Sequence, residues 1–349
     1  MSCFTIFAIA VGVASAATIP FSIVADYVAP ETPSIAASQI LAFTFDNATN
    51  LVTQHSETLT SSAQTYVAHP TGSHVYGFGV ADGTLHVYSV DAATAAWSPV
   101  GSPVLLGATT AGYGISSCGR YLAFSTWPST PAVNIVALDP TSHLPEKVKS
   151  LPVQERCDFK SAPIFAGDTS ALYCLVATPY PNVVSQFRIK PSGLIAKGKV
   201  PFPKAFAQAS TYLTIDAFVG IPGTGRVYGR NNMHLLWDST RPSTTVHESA
   251  VFNRTDQIQQ VFLAPNGAAL IGAGYDAYFE SVPFDKKGDL FMRARRVAQA
   301  PVVYSNLLPT SVGYYLDVSV DRDRAAVTVT RMTFRGCRSS PRAPVEQLF

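Results

Sequence analysis

Apolar and polar residues alternate along this chain in short runs, which is the period of β-strands rather than of helices. One such run recurs six times, each time ending in a polar residue that begins a polar turn. The copies are FTFD at 43–46, YSVD at 88–91, VALD at 136–139, FRIK at 187–190, LLWD at 235–238 and VPFD at 282–285. Their last residues lie 45, 48, 51, 48 and 47 positions apart. Self-similarity at this period, with strand-like alternation inside each copy, predicts an all-β fold, a β-propeller.

A second series of landmarks lies between the copies, and each is a short loop with a glycine ahead of an apolar strand. These loops are HPTG at 69–72, SCG at 117–119, AGD at 166–168, GTG at 223–225, PNG at 265–267 and SVG at 311–313. Glycine accepts the positive φ that tight hairpins need. Because the two series alternate strictly, the sequence predicts four-stranded blades, each with an inner and an outer hairpin.

The sequence predicts the number of blades less directly than it predicts the architecture. Residues 22–59 carry strands ahead of the first inner landmark, and we expect them to pair with a C-terminal strand within 325–334. Such a closure by N- and C-terminal strands removes exposed sheet edges. Seven blades are favoured, and six are the alternative. A two-sheet sandwich would not explain so even a period.

Composition agrees with a single propeller domain. The chain has 349 residues, of which 47% are hydrophobic and only 14% are charged. This balance is typical of mostly buried strands. A formal net charge of +2 is too small to indicate a nucleic-acid partner. We expect a monomer.

The first residues predict the compartment. An apolar run at 4–13 is too short to span a bilayer, and Ala-Ser-Ala at 14–16 is typical of a signal-peptide cleavage site. The sequence therefore predicts a signal peptide over 1–16, a propeller domain over 17–336, a tail over 337–349, and secretion with no membrane span. Asn47 and Asn253 begin sequons and are the predicted glycosylation sites.

Four cysteines follow the predicted signal peptide, and in an oxidising compartment they indicate two disulfides with three possible connectivities. Cys157 and Cys174 flank the third inner hairpin and form one predicted pair, which leaves Cys118 and Cys337 as the other. There is no Cys-x-x-Cys and no histidine pair at ligand spacing, so no metal site is predicted. No cofactor is predicted.

The strongest candidate chemistry precedes the inner strand of one blade. Glu155, Arg156, Asp158 and Lys160 bring two acids and two bases together there. Arg156 or Lys160 can hold an anion, while Glu155, Asp158 or Lys160 can move a proton. A solvated loop with internal ion pairs is the alternative.

Further candidates are weaker. Arg230 and Asn231 are a second pair of candidate anion-binding residues, with an exposed hairpin as the alternative. His69 and His74 flank the first inner turn, and His86 is in an outer strand; we interpret each of the three as a surface or turn residue.

The landmarks resemble those of the lactonase-like seven-bladed propellers, which include bacterial-type 6-phosphogluconolactonases and fungal carboxy-cis,cis-muconate cyclases. The resemblance rests on HPTG at 69–72, APNG at 264–267 and FDKKGDL at 284–290, and it spans nearly the whole mature chain. It implies ring closure by the chain termini. The family's Gly-Pro-Arg-His run corresponds to QAST at 208–211, and Lys160 stands near a family histidine, so the family's catalytic motifs are largely not retained.

Two classes of function follow. The first is a secreted lactone hydrolase or cycloisomerase acting on a small carboxylated substrate in the central channel. The second is a non-catalytic extracellular propeller that binds a protein, a glycan or a small ligand through its rim loops. Cations and carboxylates that converge at the channel favour the enzyme. An apolar channel favours the non-catalytic propeller.

Overall fold

The structure is a computed structural model in which most strands are described and many connecting segments are not. The described residues are 6–10, 18–28, 36–60, 64–79, 83–106, 110–116, 118–126, 132–152, 164–166, 171–176, 183–190, 193–201, 217–221, 226–230, 234–238, 247–248, 258–263, 269–274, 278–283, 295–299, 305–309, 315–321, 326–332, 334–335, 338–339 and 345–348. Side chains are described mainly in the first three sheets.

Three sheets form the N-terminal part. The first holds β1 (Ile6–Ala10), β2 (Thr18–Val28), β3 (Ala36–Asp46) and β4 (Val52–Leu59). The second holds β5 (Gln64–Ala68), β6 (His74–Gly79), β7 (Thr84–Val90), β8 (Trp97–Pro99) and β9 (Val104–Leu105), where β8 and β9 pair with opposite ends of β7 as two halves of one outer strand. The third holds β10 (Thr110–Ile115), β11 (Tyr121–Thr126), β12 (Ala132–Leu138) and β13 (Pro145–Pro152).

Four more sheets follow. They are β14 (Ile164–Ala166), β15 (Ala171–Val176), β16 (Val183–Lys190) and β17 (Gly193–Pro201); β18 (Ala217–Ile221), β19 (Arg226–Arg230), β20 (His234–Asp238) and β21 (His247–Glu248); β22 (Ile258–Leu263), β23 (Ala269–Gly274), β24 (Tyr278–Pro283) and β25 (Arg295–Gln299); and β26 (Ser305–Pro309), β27 (Tyr315–Asp321), β28 (Ala326–Met332) and β31 (Val345–Leu348). A small hairpin pairs β29 (Phe334–Arg335) with β30 (Arg338–Ser339).

Among the described residues every sheet is an antiparallel meander whose spatial order follows the chain, and no helix occurs. These residues form seven such sheets besides the small hairpin, which agrees with the favoured number of blades. The first strands of neighbouring sheets contact each other, as in the pairs β5–β10, β10–β14, β14–β18 and β18–β22. The prediction of an all-β propeller of four-stranded blades is confirmed.

Apolar side chains fill the spaces between neighbouring blades. Tyr76 and Phe78 of the second blade pack with Leu122 and Phe124 of the third. A similar cluster joins the first and second blades. These side chains point alternately to the two faces of each strand, so the second blade contributes one face to the first blade and the other face to the third.

The two ends of the chain meet by side-chain packing. Strand β1 contacts β26, and Phe21 and Phe43 of the first blade share a buried cluster with Leu316, Val318 and Val329 of the last. The sequence predicted that an N-terminal strand pairs with the segment 325–334. Instead, β28 in that segment pairs with β27 and β31, because the C-terminal residues supply the outer strand of their own sheet.

Three strands lie in segments that the sequence assigned outside the propeller domain. Strand β1 falls within the predicted signal peptide and pairs with β2, and β30 and β31 fall within the predicted tail. The cleavage after Ala16 and the domain boundaries stay predictions.

The recurring Asp of the sequence pattern has a local role in the outer turns. Asp46, Asp91 and Asp139 each accept hydrogen bonds from the backbone N–H groups two and three positions further on, at 2.7–2.9 Å. These donors, together with the hydroxyl of the residue three positions on, hold the pKa of each carboxyl below its ordinary value. The carboxylate thus replaces turn hydrogen bonds that the backbone cannot make to itself.

Each of these turns also places one residue in the left-handed region, and in two of the three turns its carbonyl joins neighbouring blades. The residues are Asn50, Ala95 and His143, with φ of 57°, 60° and 57°. Ser22 Oγ of the first blade donates to Ala95 O at 2.8 Å, and Tyr76 Oη of the second donates to His143 O at 2.8 Å. Trp97 Nε1 donates in turn to Ser22 Oγ at 2.8 Å. A hydroxyl on a second strand therefore links each of these two pairs of blades.

Candidate functional site

The strand order gives the ring two distinct faces. Inner hairpin turns lie on one face, which we call the turn face; the inner strands begin on the opposite face, which we call the start face. His69 in the inner turn of the second blade donates from Nε2 to the carbonyl oxygen of Gly119 in that of the third, at 3.1 Å. Inner turns of neighbouring blades therefore lie side by side.

The four charged residues of the strongest sequence candidate lie outside the described residues. Glu155, Arg156, Asp158 and Lys160 directly precede β14, whose first residue is Ile164. Their roles as predicted catalytic and anion-binding residues stay predictions.

Arg230 is described at the level of the backbone. It is the last residue of β19 and pairs with Ala217, the first residue of β18. It is therefore at the start face of the fifth blade. Its predicted companion Asn231 lies outside the described residues.

The fourth and fifth blades are neighbours, because β14 contacts β18. The end of β19 and the start of β14 are thus on the same face of adjacent blades. A guanidinium and a carboxylate form paired, charge-assisted hydrogen bonds, so an arginine at this rim is a suitable group for a carboxylated ligand. Sequence spacing alone did not show that Arg230 and the first residue of β14 are at the same rim.

The turn face carries a group of imidazoles that the sequence did not predict. His69, His74 and His143 form the histidine cluster: the ring centroids of His69 and His143 are 4.1 Å apart, and those of His74 and His143 are 5.3 Å apart. His69 is buried, and the other two are half-buried. The sequence placed His69 and His74 beside the first inner turn, but His69 is buried rather than on the surface and His74 begins β6. The sequence missed His143 because that residue comes from the outer turn of the next blade.

Electrostatics favour the neutral forms of His69 and His74. Burial lowers the pKa of both His69 and His74, and the nearby charge of His143 lowers it further. The third histidine discussed from the sequence, His86, is elsewhere on β7 and pairs with Thr84 Oγ1 at 2.9 Å. Within the part of the chain that the structure describes, no three acidic, histidine or cysteine side chains converge as metal ligands.

Cys118 is exposed in the inner turn of the third blade. Although burial raises its pKa, hydrogen bonds from Ser116 and Arg120 and the guanidinium charge of Arg120 lower it more, so the net pKa lies below the ordinary value. Cys157 and Cys337 lie outside the described residues, and Cys174 is described only as a backbone position in β15. Both predicted disulfide pairings stay predictions.

Asn47, one of the two predicted glycosylation sites, is in the first outer turn, between β3 and β4, with a half-buried side chain. Asn253 lies outside the described residues. The described ranges contain no helix that is long and apolar enough to cross a bilayer.

Comparison with known proteins supports the lactonase-like resemblance. The family described as lactonase, 7-bladed beta-propeller, matches residues 27–163. A comparison with curated protein sequences finds no match. The family match begins at the end of β2 and runs past β13, so it covers the second and third blades and the outer half of the first.

Solved structures extend the fold likeness over the chain. A protein provisionally assigned as a 6-phosphogluconolactonase from Bacteroides uniformis is 14% identical, with a TM-score of 0.60 over 85% of this chain and 86% of its own. A second protein with that provisional assignment, from Bacteroides fragilis, is 11% identical, with a TM-score of 0.58 over 88% and 90%. Apo AztD from Citrobacter koseri is 8% identical, with a TM-score of 0.57 over 94% and 95%. At these identities the likeness shows the fold.

Proposed function

We propose that this lactonase-like propeller binds a small carboxylated molecule or a lactone at the start face of its central channel, and acts there as a lactone hydrolase or cycloisomerase. The family match and the neighbours provisionally assigned as 6-phosphogluconolactonases support the ligand class. Ligands of ring-shaped folds bind where several blades contribute side chains to one concave surface.

One observation carries the proposal. Arg230 pairs with the first residue of β18, and β18 contacts β14, the strand that directly follows the charged segment 155–160 in sequence. A cation of the fifth blade and a cluster of two acids and two bases are thereby associated with neighbouring inner strands on one rim.

The chemistry requires only these residue types. In lactone hydrolysis, water adds to the carbonyl carbon while a carboxylate such as Glu155 or Asp158 accepts its proton; the ring C–O bond then breaks and the proton passes to the leaving oxygen. In cycloisomerisation, a substrate carboxylate oxygen adds to a carbon–carbon double bond and a proton is delivered to the adjacent carbon. Hydrolysis builds negative charge on the carbonyl oxygen. Cycloisomerisation moves negative charge from the attacking oxygen to the adjacent carbon and, where that carbon bears a second carboxylate, on to its oxygens. Arg156, Lys160 or Arg230 would stabilise the charge in both cases.

Arg230→Ala should weaken the binding of gluconate and gluconolactone by about tenfold or more, because one charge-assisted pair of hydrogen bonds is lost. Arg156→Ala and Lys160→Ala should have effects of the same size. Titration calorimetry measures the affinities, and release of acid from gluconolactone measures hydrolysis.

Arg226→Ala is the matched control for the first variant. Arg226 is on the same strand but at its other end, where it pairs with Ile221 on the turn face. Its replacement should leave both affinities unchanged. Equal losses for Arg226→Ala and Arg230→Ala, or no uptake of either probe by the unaltered protein, would contradict the proposal and favour a non-catalytic propeller that binds partners through its rim loops.

We further propose that the chain is secreted, with glycans on Asn47 and Asn253. The apolar run at 4–13, the small residues at 14–16 and the position of Asn47 in an outer turn support this. Expression in a eukaryotic host should give a secreted chain that begins at Ala17 and loses mass on endoglycosidase treatment. N-terminal sequencing that finds residues 1–16 on the secreted chain would refute the cleavage.

A further inference from the structure

The histidine cluster joins two blades on the face opposite the proposed ligand site. His69 and His74 belong to the second blade, and His143 belongs to the third. The proposed function uses none of them. Besides ring contacts, the same junction contains the hydrogen bonds from His69 Nε2 to Gly119 O and from Tyr76 Oη to His143 O.

The hydrogen bonds of His69 fix its neutral form. A carbonyl oxygen can only accept, so Nε2 carries the hydrogen that is donated to Gly119 O. Nδ1 is then the unprotonated nitrogen, and it accepts from the Thr71 backbone N–H at 3.2 Å and from Thr71 Oγ1 at 2.7 Å. A second proton on Nδ1 would face the Thr71 amide hydrogen, which has no means of turning away.

A chain of hydroxyls connects His69 to His74. Because Thr71 Oγ1 donates to His69, it accepts from Ser73 Oγ at 2.7 Å, and Ser73 Oγ in turn accepts from His74 Nδ1 at 3.0 Å. All three hydroxyl and imidazole hydrogens therefore point towards His69. Protonation of His69 reverses this order along the whole chain.

Neighbouring groups provide limited compensation for a charged imidazole. Asp139 is the described carboxylate in the turn that holds His143, and it already accepts hydrogen bonds from Thr141 and Ser142. The turn that contacts His69 carries the Cys118 thiol and the Arg120 cation, and β6 carries Tyr76, whose pKa is raised by burial. A second imidazolium would repel the first at a separation of 4–5 Å between rings.

We propose that the histidine cluster is an acid-sensitive junction: it holds the second and third blades together while its rings are neutral, and it loosens them when the rings take up protons. The direction in which stability changes with pH follows from proton linkage. The folded state holds His69 and His74 below their ordinary pKa of 6.5, so the unfolded chain binds more protons as the pH falls through 6.5. The stabilisation is complete above that pH and is lost progressively below it.

The test is the pH dependence of urea unfolding between pH 8 and pH 5.5, followed by the fluorescence of the full chain. Each additional proton bound on unfolding multiplies the unfolding constant by up to about tenfold per pH unit. His69→Gln and His74→Gln should each reduce the slope with which the logarithm of the unfolding constant increases as the pH falls. The double variant should reduce that slope further. The slope is informative even where a variant is less stable at every pH, and either single variant suffices if the other does not fold.

His55→Gln provides the control, because His55 is exposed on β4, in the first blade. Its slope should equal that of the unaltered protein. The outer-turn carboxylates titrate below this pH range, since their pKa values lie under the ordinary 3.8. An unchanged slope in the double variant, or an equal reduction by His55→Gln, would overturn the proposal without affecting the proposed function.

Discussion

Gly119→Ala should destabilise the protein by about 3 kcal/mol, from left-handed strain of about 1 kcal/mol and from the displaced hydrogen bond of His69. Gly119 has a φ of +70°, and a Cβ at this position would overlap the His69 ring. The ring cannot retreat freely, because Thr71 holds its other side. Urea unfolding at pH 8, where the histidine cluster is neutral, measures the loss.

Gly101→Ala separates the two contributions. Gly101 has nearly the same φ, +68°, but a Cβ there meets no atom within 4 Å. Its replacement should therefore show only the backbone strain, about 1 kcal/mol. The double variant Gly119→Ala with His69→Ala should be destabilised by less than the sum of the losses of the two single variants. Equal destabilisation at the two glycines would mean that the contact with His69 is unimportant.

Phe43→Ala should destabilise the protein by about 3–5 kcal/mol, the range found for buried phenylalanines. Phe43 is fully buried and stacks on Phe21, with ring centroids 5.4 Å apart and an interplanar angle of 16°. It belongs to the cluster that joins the first blade to the last. The loss is measured by urea unfolding as a change in midpoint at constant slope.

A double-mutant comparison shows whether this cluster joins the chain ends. Val318 of the last blade shares the cluster with Phe43, whereas Phe124, equally buried, belongs to the cluster between the second and third blades. Phe43→Ala and Val318→Ala should be non-additive by about 0.5 kcal/mol or more, while Phe124→Ala and Val318→Ala should add. Additivity in both pairs would argue against packing of the first blade on the last.

The sequence predicted the meander and its turns because those depend on neighbours along the chain. The Asp that ends each of the first three copies accepts amide hydrogen bonds two and three residues away, so the motif is a local one. Gly72 and Gly119 likewise occupy left-handed positions in the predicted inner turns. A strand and a turn can be inferred wherever the residues that determine them are adjacent.

The sequence predicted that the two ends of the chain close the ring, but it did not predict which strands pair there. A strand shared by the two termini and two complete terminal sheets satisfy the same requirement, namely that no long edge stays exposed. The choice depends on whether β31 reaches β28, and the short polar segment between β28 and β31 does not determine this. Packing of the apolar faces then brings the first and last sheets together.

For the proposed ligand site, the sequence supplied the residue types. Arg230 lies far along the chain from the segment 155–160, and the fold shows that the strand following that segment and the strand paired with Arg230 are neighbours.

By itself the sequence determined the repeat, the hairpins and the supply of charged side chains, because each follows from residues within one blade. Only the tertiary structure decided which blades touch and what meets at their junctions. His69 reaches Gly119 across 50 positions, and Tyr76 reaches His143 across 67. Contacts of that range arise from the stacking of whole blades, in which the energy comes from buried apolar faces that many sequences share, so no short pattern in the chain specifies them.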